Sequence, residues 1–262
     1  MPFPRVIVPK LVPQHTYWAQ TTRVQGASTG PYSSFNLASH VGDNPAAIEG
    51  NWTSFGESLP FTRTTLATAN QVHGDAICWV TRGGHHEVDA DAIVSTKAGI
   101  AVGVYTADCV PVLVSYPEHG VVAAIHCGWR GAAANLIEKL FSAVQQRCGA
   151  SPHSAFVWLG ASIAQCNYQV GEEVVDACLG TLKSDERQER GSALSVPDRV
   201  QDKYLLDVAE VVHSQLKAAG VLTDRLERCD LDTFAEKALL YSYRRDGAST
   251  GRMLSFVGLK TS

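Results

Sequence analysis

No stretch of the 262-residue chain approaches the ~18 consecutive apolar residues that a membrane span requires. The N-terminal segment MPFPRVIVPKLVPQ interleaves prolines and basic residues where a targeting signal needs an unbroken apolar run. Charge of one sign is also lacking. The 22 Lys and Arg are scattered among 26 Asp and Glu, with a net charge of −4 and a pI near 6.1, which excludes the basic footprint of a nucleic-acid or anionic-membrane binder. Methionine occurs only as Met1 and Met253, and the nine histidines include no H-x-H pair; the one adjacent pair, His85–His86 in RGGHHEVDAD, reads as an exposed turn. A multicopper oxidase needs several close histidine clusters, and a blue-copper site an axial Met, so genuine four-copper chemistry is excluded at this level. There is no H-E-x-x-H, no C-x-x-C, no internal repeat and no low-complexity segment. A small-molecule partner remains, with neither nucleic acid nor membrane. The seven cysteines, an odd number in a chain long enough to have its own core, read as reduced thiols and hence as a cytoplasmic location.

What is present is a mixed α/β pattern. Short apolar runs bounded by Gly, Pro and Asn predict strands at 64–69, 76–80, 92–96, 101–106, 110–116, 121–127, 155–160 and 252–259. Several are continuously apolar, so the sheet is covered on both faces. Leu136, Leu140 and Val144 recur every four residues, with Ile137 and Phe141 in the adjacent row, predicting a half-buried helix over 132–147 that stops at Gly149. Further helices are expected over 171–179 and, closed by Gly220, over 203–219. The charged segment 183–199 has no apolar period and reads as a mobile surface loop, either a connector or a lid.

Polar residues interrupt the most apolar runs in three places. ANQVHGDAI sets His73 in a turn between strands, TADCVP sets Cys109 between two more, and AIHCGWRG sets His126 at the end of a strand. Two imidazoles and a thiolate are the three protein ligands of a catalytic zinc. Spacing alone equally allows His73 as a turn histidine and Cys109 as a buried thiol. Cys127 points to the opposite strand face and reads as core, and Asp89 and Asp91 serve either as a strand turn or as carboxylates fixing a ligand imidazole.

The motifs SSFNLASHVGD, NQVHGDAI, DADAIVST, TADCVPVLV, AIHCGWRG and YSYRRDGASTGRM resemble, in order and over nearly the whole chain, the polyphenol oxidase (laccase-domain) and purine nucleoside phosphorylase family, which includes bacterial peptidoglycan-editing proteins. The resemblance implies an α+β fold, a single domain over 1–262 of two mixed β-sheets flanked by helices in α/β/β/α layers. It implies a metal, usually zinc, on His73, Cys109 and His126, which are then also the catalytic residues. The family usually has Thr directly after the position of Cys229, where this chain has CDLDTF.

Zinc with an exchangeable position lowers the pKa of bound water to about 7, which suits deamination of adenosine. Phosphorolysis of adenosine or inosine needs donors for phosphate, and Arg130, Arg244 and Arg245 are the candidates, with Asn36 as a residue to orient the purine nucleoside. Copper at the same site would support phenol oxidation. Two alternatives use the same residues. In one, Cys109 is the nucleophile of an amidase editing a muropeptide precursor, with His126 or His73 as base and Asp108 orienting it. In the other the zinc is structural, with Cys127 or His40 as fourth ligand.

Overall fold

The computed structural model describes residues 5–56 and 61–260. Its frame is two six-stranded mixed sheets. The first runs in the order β1 (Val6–Ile7), β2 (Thr16–Thr21), β15 (Met253–Leu259), β7 (Ala101–Thr106), β3 (Leu66–Asn70) and β5 (Gly84–Asp89). The second runs β14 (Leu226–Arg228), β10 (Phe156–Leu159), β8 (Val110–Tyr116), β9 (Val121–Cys127), β6 (Ala92–Ser95) and β4 (Ile77–Val80). A smaller sheet joins β11 (Gln169–Gly171), β13 (Lys203–Leu206) and β12 (Ser195–Pro197).

Side-chain alternation sorts these strands into layers. In the β8–β9 hairpin, Val112, Val114, Ala123 and Ile125 face a helical layer, while Leu113, Val122 and Ala124 face the first sheet. Between the sheets Trp18, Val102, Val104, Trp158 and Val257 complete the inner core. Helix α1 (Pro45–Gly56) covers the outer face of the first sheet through Ile48, Trp52 and Phe55, which pack with Leu254 and Phe256. Helices α3 (Leu136–Cys148), α4 (Glu172–Leu179) and α6 (Val208–Ala218) cover the outer face of the second. The order is therefore α/β/β/α, and buried faces on both sides explain why β8 and β9 read as unbroken apolar runs. No helix among the described residues is long and apolar enough to cross a membrane.

Four local readings are corrected by the structure. The helix predicted from residue 132 is two helices, α2 (Trp129–Ala133) and α3, broken where Asn135 turns left-handed at φ 53°; the Gly149 stop holds, with φ 68° and its N–H on the Gln145 carbonyl. Residues 203–206 are strand β13, and the helix begins only after Asp207, whose carboxylate caps the Glu210 N–H. The adjacent histidines His85 and His86 lie on strand β5 rather than in a turn. Residues 184–194 form α5 (Ser184–Leu194) rather than a loop. Its Glu, Arg and Gln favour a helix, but it has no apolar stripe to announce one. Fully buried Leu194 anchors it, and Arg190 pairs with Glu210 of α6. Leu194→Ala should cost about 2–5 kcal/mol and open α5 to trypsin at Arg187 and Arg190. Limited proteolysis and thermal unfolding check this; metal content should stay unchanged.

Candidate metal centre

The inner core between the sheets ends in polar residues. Val122 and Ala124 of β9 point into it, and His126, two residues on, continues the same face to its rim. Cys109 follows the turn from β7 to β8, in which Asp108 is left-handed at φ 99°, and His73 lies between β3 and β4 with φ 60°. The ligand atoms of His73, Cys109 and His126 lie within 4.8 Å of one another, and the two imidazole rings meet edge to face at 4.7 Å. Among the described residues these three form the one group of His, Cys, Asp or Glu side chains able to hold a metal ion. Neither proposed fourth ligand joins it: Cys127 is buried against the helical layer, and His40 stacks edge-on against Tyr105.

Asp91 organises the group. Its Oδ1 accepts from His126 Nδ1 at 2.7 Å and from the His73 N–H at 3.0 Å, while Oδ2 accepts from the N–H groups of Val72 and Gly74 at 3.1 and 2.6 Å. Its carbonyl accepts the His126 N–H at 2.7 Å. One carboxylate thus holds the turn that presents His73 and fixes the His126 proton on Nδ1, leaving Nε2 as the ligating nitrogen. Burial alone would raise the Asp91 pKa; hydrogen bonds from His126 and from the Gly74 and Val72 amides outweigh it and lower it.

Burial likewise opposes ionisation of Cys109, yet the charge of His126 and hydrogen bonds from His126 and His73 bring its thiol from 9.0 down to about 6. Burial would lower the His126 pKa, but Cys109 and Asp91 raise it to about 9. The two opposed shifts favour a thiolate beside an imidazolium in the metal-free pair. Gly128 keeps the space in front of it clear: a Cβ there would lie 2.9 Å from Cys109 Sγ. The donor set fits zinc. Donors sharing one tetrahedral ion lie roughly 3–4 Å apart at zinc bond lengths, so a movement of about an ångström brings all three onto one ion.

The other predicted residues are placed differently. Asn36 is fully buried and its amide is saturated by the fold: Nδ2 donates to the Ala38 carbonyl and Asp43, and Oδ1 accepts from the Ala38 and Arg252 N–H groups. Arg130, inside α2, is exposed with its guanidinium 4.3 Å from the Trp129 ring. Arg245 braces a loop through the carbonyls of Thr233, Phe234 and Leu240, and Arg244 donates to the Gln169 carbonyl over the Tyr168 ring. Asp108 does not orient a histidine; its carboxylate accepts from the Thr233 hydroxyl and the Arg244 N–H, both at 2.6 Å. Thr233, inside the CDLDTF segment, is therefore the threonine that steadies the Cys109 turn. Sequence reasoning missed it, together with a cleft of about 540 Å³ beside α1 lined by His40, Trp52, Arg63, Gln71, His85 and Tyr105. Gln71 clamps the Tyr105 backbone through both amide atoms, at 2.7 Å each, immediately before the His73 turn.

A family model described as multi-copper polyphenol oxidoreductase laccase matches residues 17–260. The chain belongs to that family. It is 34% identical over 250 residues to the purine nucleoside phosphorylase YlmD of Geobacillus stearothermophilus, covering 91% of this chain and 88% of that protein. It is 34% identical over 258 residues to the purine nucleoside phosphorylase YfiH of Escherichia coli K12, covering 97% and 99%. The crystal structure of YlmD from G. stearothermophilus superposes with a TM-score of 0.86 at 31% identity over 95% of this chain and 93% of that one. A Neisseria meningitidis protein, NMB0706, gives 0.82 at 29% over 98% and 100%. The α+β architecture of this chain is thus the architecture of its family.

Asp91→Asn keeps the shape of the carboxylate but weakens its hold on the Nδ1 proton, and should lower zinc affinity about 10–100-fold, measured by competition with a chromogenic chelator. The acid–base pair gives a second expectation. Because the Cys109 value is depressed, its thiolate stabilises the fold above the unfolded thiol value and this is lost as pH falls through about 6. His126 is raised, so its contribution is complete below its ordinary 6.5 and lost as pH rises through about 9. In metal-free protein the thiolate ultraviolet absorbance should therefore titrate near pH 6, and Cys109→Ser should abolish that transition; a midpoint near 9 would contradict the pairing.

Proposed function

We propose that this protein is a zinc-dependent purine nucleoside phosphorylase acting on adenosine and inosine, with deamination of adenosine as a second reaction of the same centre. The observation that carries the reading is the convergence of His73, Cys109 and His126 under one organising carboxylate. The relatives named purine nucleoside phosphorylase, aligned over nearly the whole chain, support it. Bound zinc would supply a Lewis acid and a water ionising near neutral pH.

The chain's own residues do the rest. Asp91 retains the His126 Nδ1 proton, so that imidazole ligates in one tautomer. Gly128 leaves the thiolate face accessible. The neighbouring cleft, at about 540 Å³, falls in the range of small-molecule sites, and among the described residues its aromatic and amide walls carry no carboxylate, which suits a neutral nucleoside. A multicopper oxidase needs several ligand clusters, and the described residues contain one.

The depressed Cys109 thiol favours one second reading, a cysteine amidase acting on a muropeptide precursor with His126 as its acid–base partner. Metal stoichiometry separates the two. Purified protein should hold about one zinc per chain, as a three-ligand catalytic site does, and release free purine from inosine only with phosphate. Cys109→Ala and His126→Ala should lose metal and turnover together. A metal-free protein without nucleoside turnover, cleaving muropeptide amides through Cys109, would replace this reading with the amidase.

A further inference from the structure

Phosphorolysis consumes an oxyanion; of the arginines suggested by the sequence, Arg244 and Arg245 donate to backbone carbonyls, and Arg130 is exposed on α2 with its guanidinium over the face of Trp129. Arg252 is different. Strand β15 pairs Met253 with Thr106, so extending that ladder by one residue sets Arg252 opposite Ala107, two residues before Cys109. Its N–H donates to Asn36 Oδ1 at 3.1 Å, and its Nη1 donates to the carbonyls of Thr250 and Gly251 at 2.7 and 3.0 Å. Those bonds fix one corner of the guanidinium. Among the described residues Nε and Nη2 donate to nothing, and no carboxylate forms an ion pair with this side chain.

Its strand position sets it at a corner beside the ligand cluster. The β15–β7 register sets Arg252 beside the Cys109 turn; burial lowers its pKa, and the charges of Asp108 and Cys109 act in the opposite direction. Asn36 links Arg252 to the loop that carries His40, whose ring packs against Tyr105 and whose pKa is lowered by burial and by the charge of Arg252. His40 also lines the cleft, so the corner lies between cleft and metal ligands. Asp108, the nearby carboxylate, has both oxygens engaged by Thr233 and Arg244. The half-exposed Tyr243 ring closes the outer edge, 6.0 Å from the guanidinium carbon.

We propose that Arg252, with His40 beside it, forms a subsite for inorganic phosphate, which the free edge of the guanidinium receives through paired N–H donors. The shape matches: a planar fork with Nε and Nη2 free presents two parallel donors to two oxygens of a tetrahedral anion. Its place as the co-substrate subsite rests on the phosphorylase reading above. It also gives Asn36 a role, as the buried amide that positions both Arg252 and the His40 loop without touching substrate.

The test is calorimetric titration of the metal-loaded protein with inorganic phosphate and, separately, with AMP, alongside steady-state kinetics. Arg252→Gln should weaken phosphate binding and raise the phosphate KM roughly 10–100-fold, the loss expected for a charge-assisted pair. The nucleoside KM, zinc content and melting temperature should stay at wild-type values, and Arg252→Lys, which keeps the charge but not the fork, should recover part of the loss. Unchanged phosphate affinity in Arg252→Gln would overturn the subsite, as would binding of AMP without binding of phosphate. Phosphate binding that depends on Arg252 in a protein without nucleoside turnover would uphold the subsite and overturn the phosphorylase reading.

Discussion

The carboxylate of Asp91 is the constraint on which the centre depends. It stands at the start of β6, where its N–H is tied to Ala76, and from there it accepts three backbone N–H groups of the His73 turn and one imidazole N–H. Two candidate ligands from distant parts of the chain are therefore held by one side chain, through the His73 backbone and the His126 Nδ1. A charged acceptor buried to this degree is costly unless its lone pairs are filled. Here they are filled by the groups that need orienting. The cost of burying Asp91 and the precision of the centre have the same origin.

Much of the fold was legible because burial on both faces writes itself into composition. The runs at 110–116 and 121–127 could hardly be anything but central strands, and the strand ends at 73, 109 and 126 showed themselves by interrupting such runs. Elements that depend on partners were not legible. Strand β5 carries two histidines and two acids on an edge, and α5 is polar all round; each is held by a few distant contacts, such as Thr68 and Asn70 on His85 or Leu194 in the core. Helix α6 was overextended because the apolar residues of β13 fall within the period of the following helix, and only Asp207 marks the boundary.

The candidate site divides along the same line. Residue type and strand position point to candidate ligands, because imidazoles and thiols at strand ends are chemically specific. The groups that position them are ordinary Asp, Thr and Asn, whose commonest use is to close turns. Asp91, Thr233 and Asn36 do close turns, and in doing so hold His73, the Cys109 turn and the His40 loop. Among the arginines, adjacency draws notice to Arg244 and Arg245, whose side chains the fold ties to backbone carbonyls, whereas no spacing in the sequence marks Arg252, whose place is set by its strand partner.

Two of the three ligand-bearing turns carry a non-glycine residue in the left-handed region, His73 at φ 60° and Asp108 at φ 99°. Conformations of this kind cost about 1–3 kcal/mol each and persist only where the surroundings over-determine them. The surroundings do so at both places: Asp91 takes three successive N–H groups around His73, and Asp108 is gripped through both carboxylate oxygens while its carbonyl accepts from Ile163 at 2.9 Å. Glycine would relieve the strain at either position. At 73 it would remove a ligand, and at 108 it would remove the link that fixes the Cys109 turn to the Thr233 and Arg244 loops. The strain therefore sits where side-chain chemistry forbids its removal, and the hydrogen bonds that offset it also fix the ligand positions.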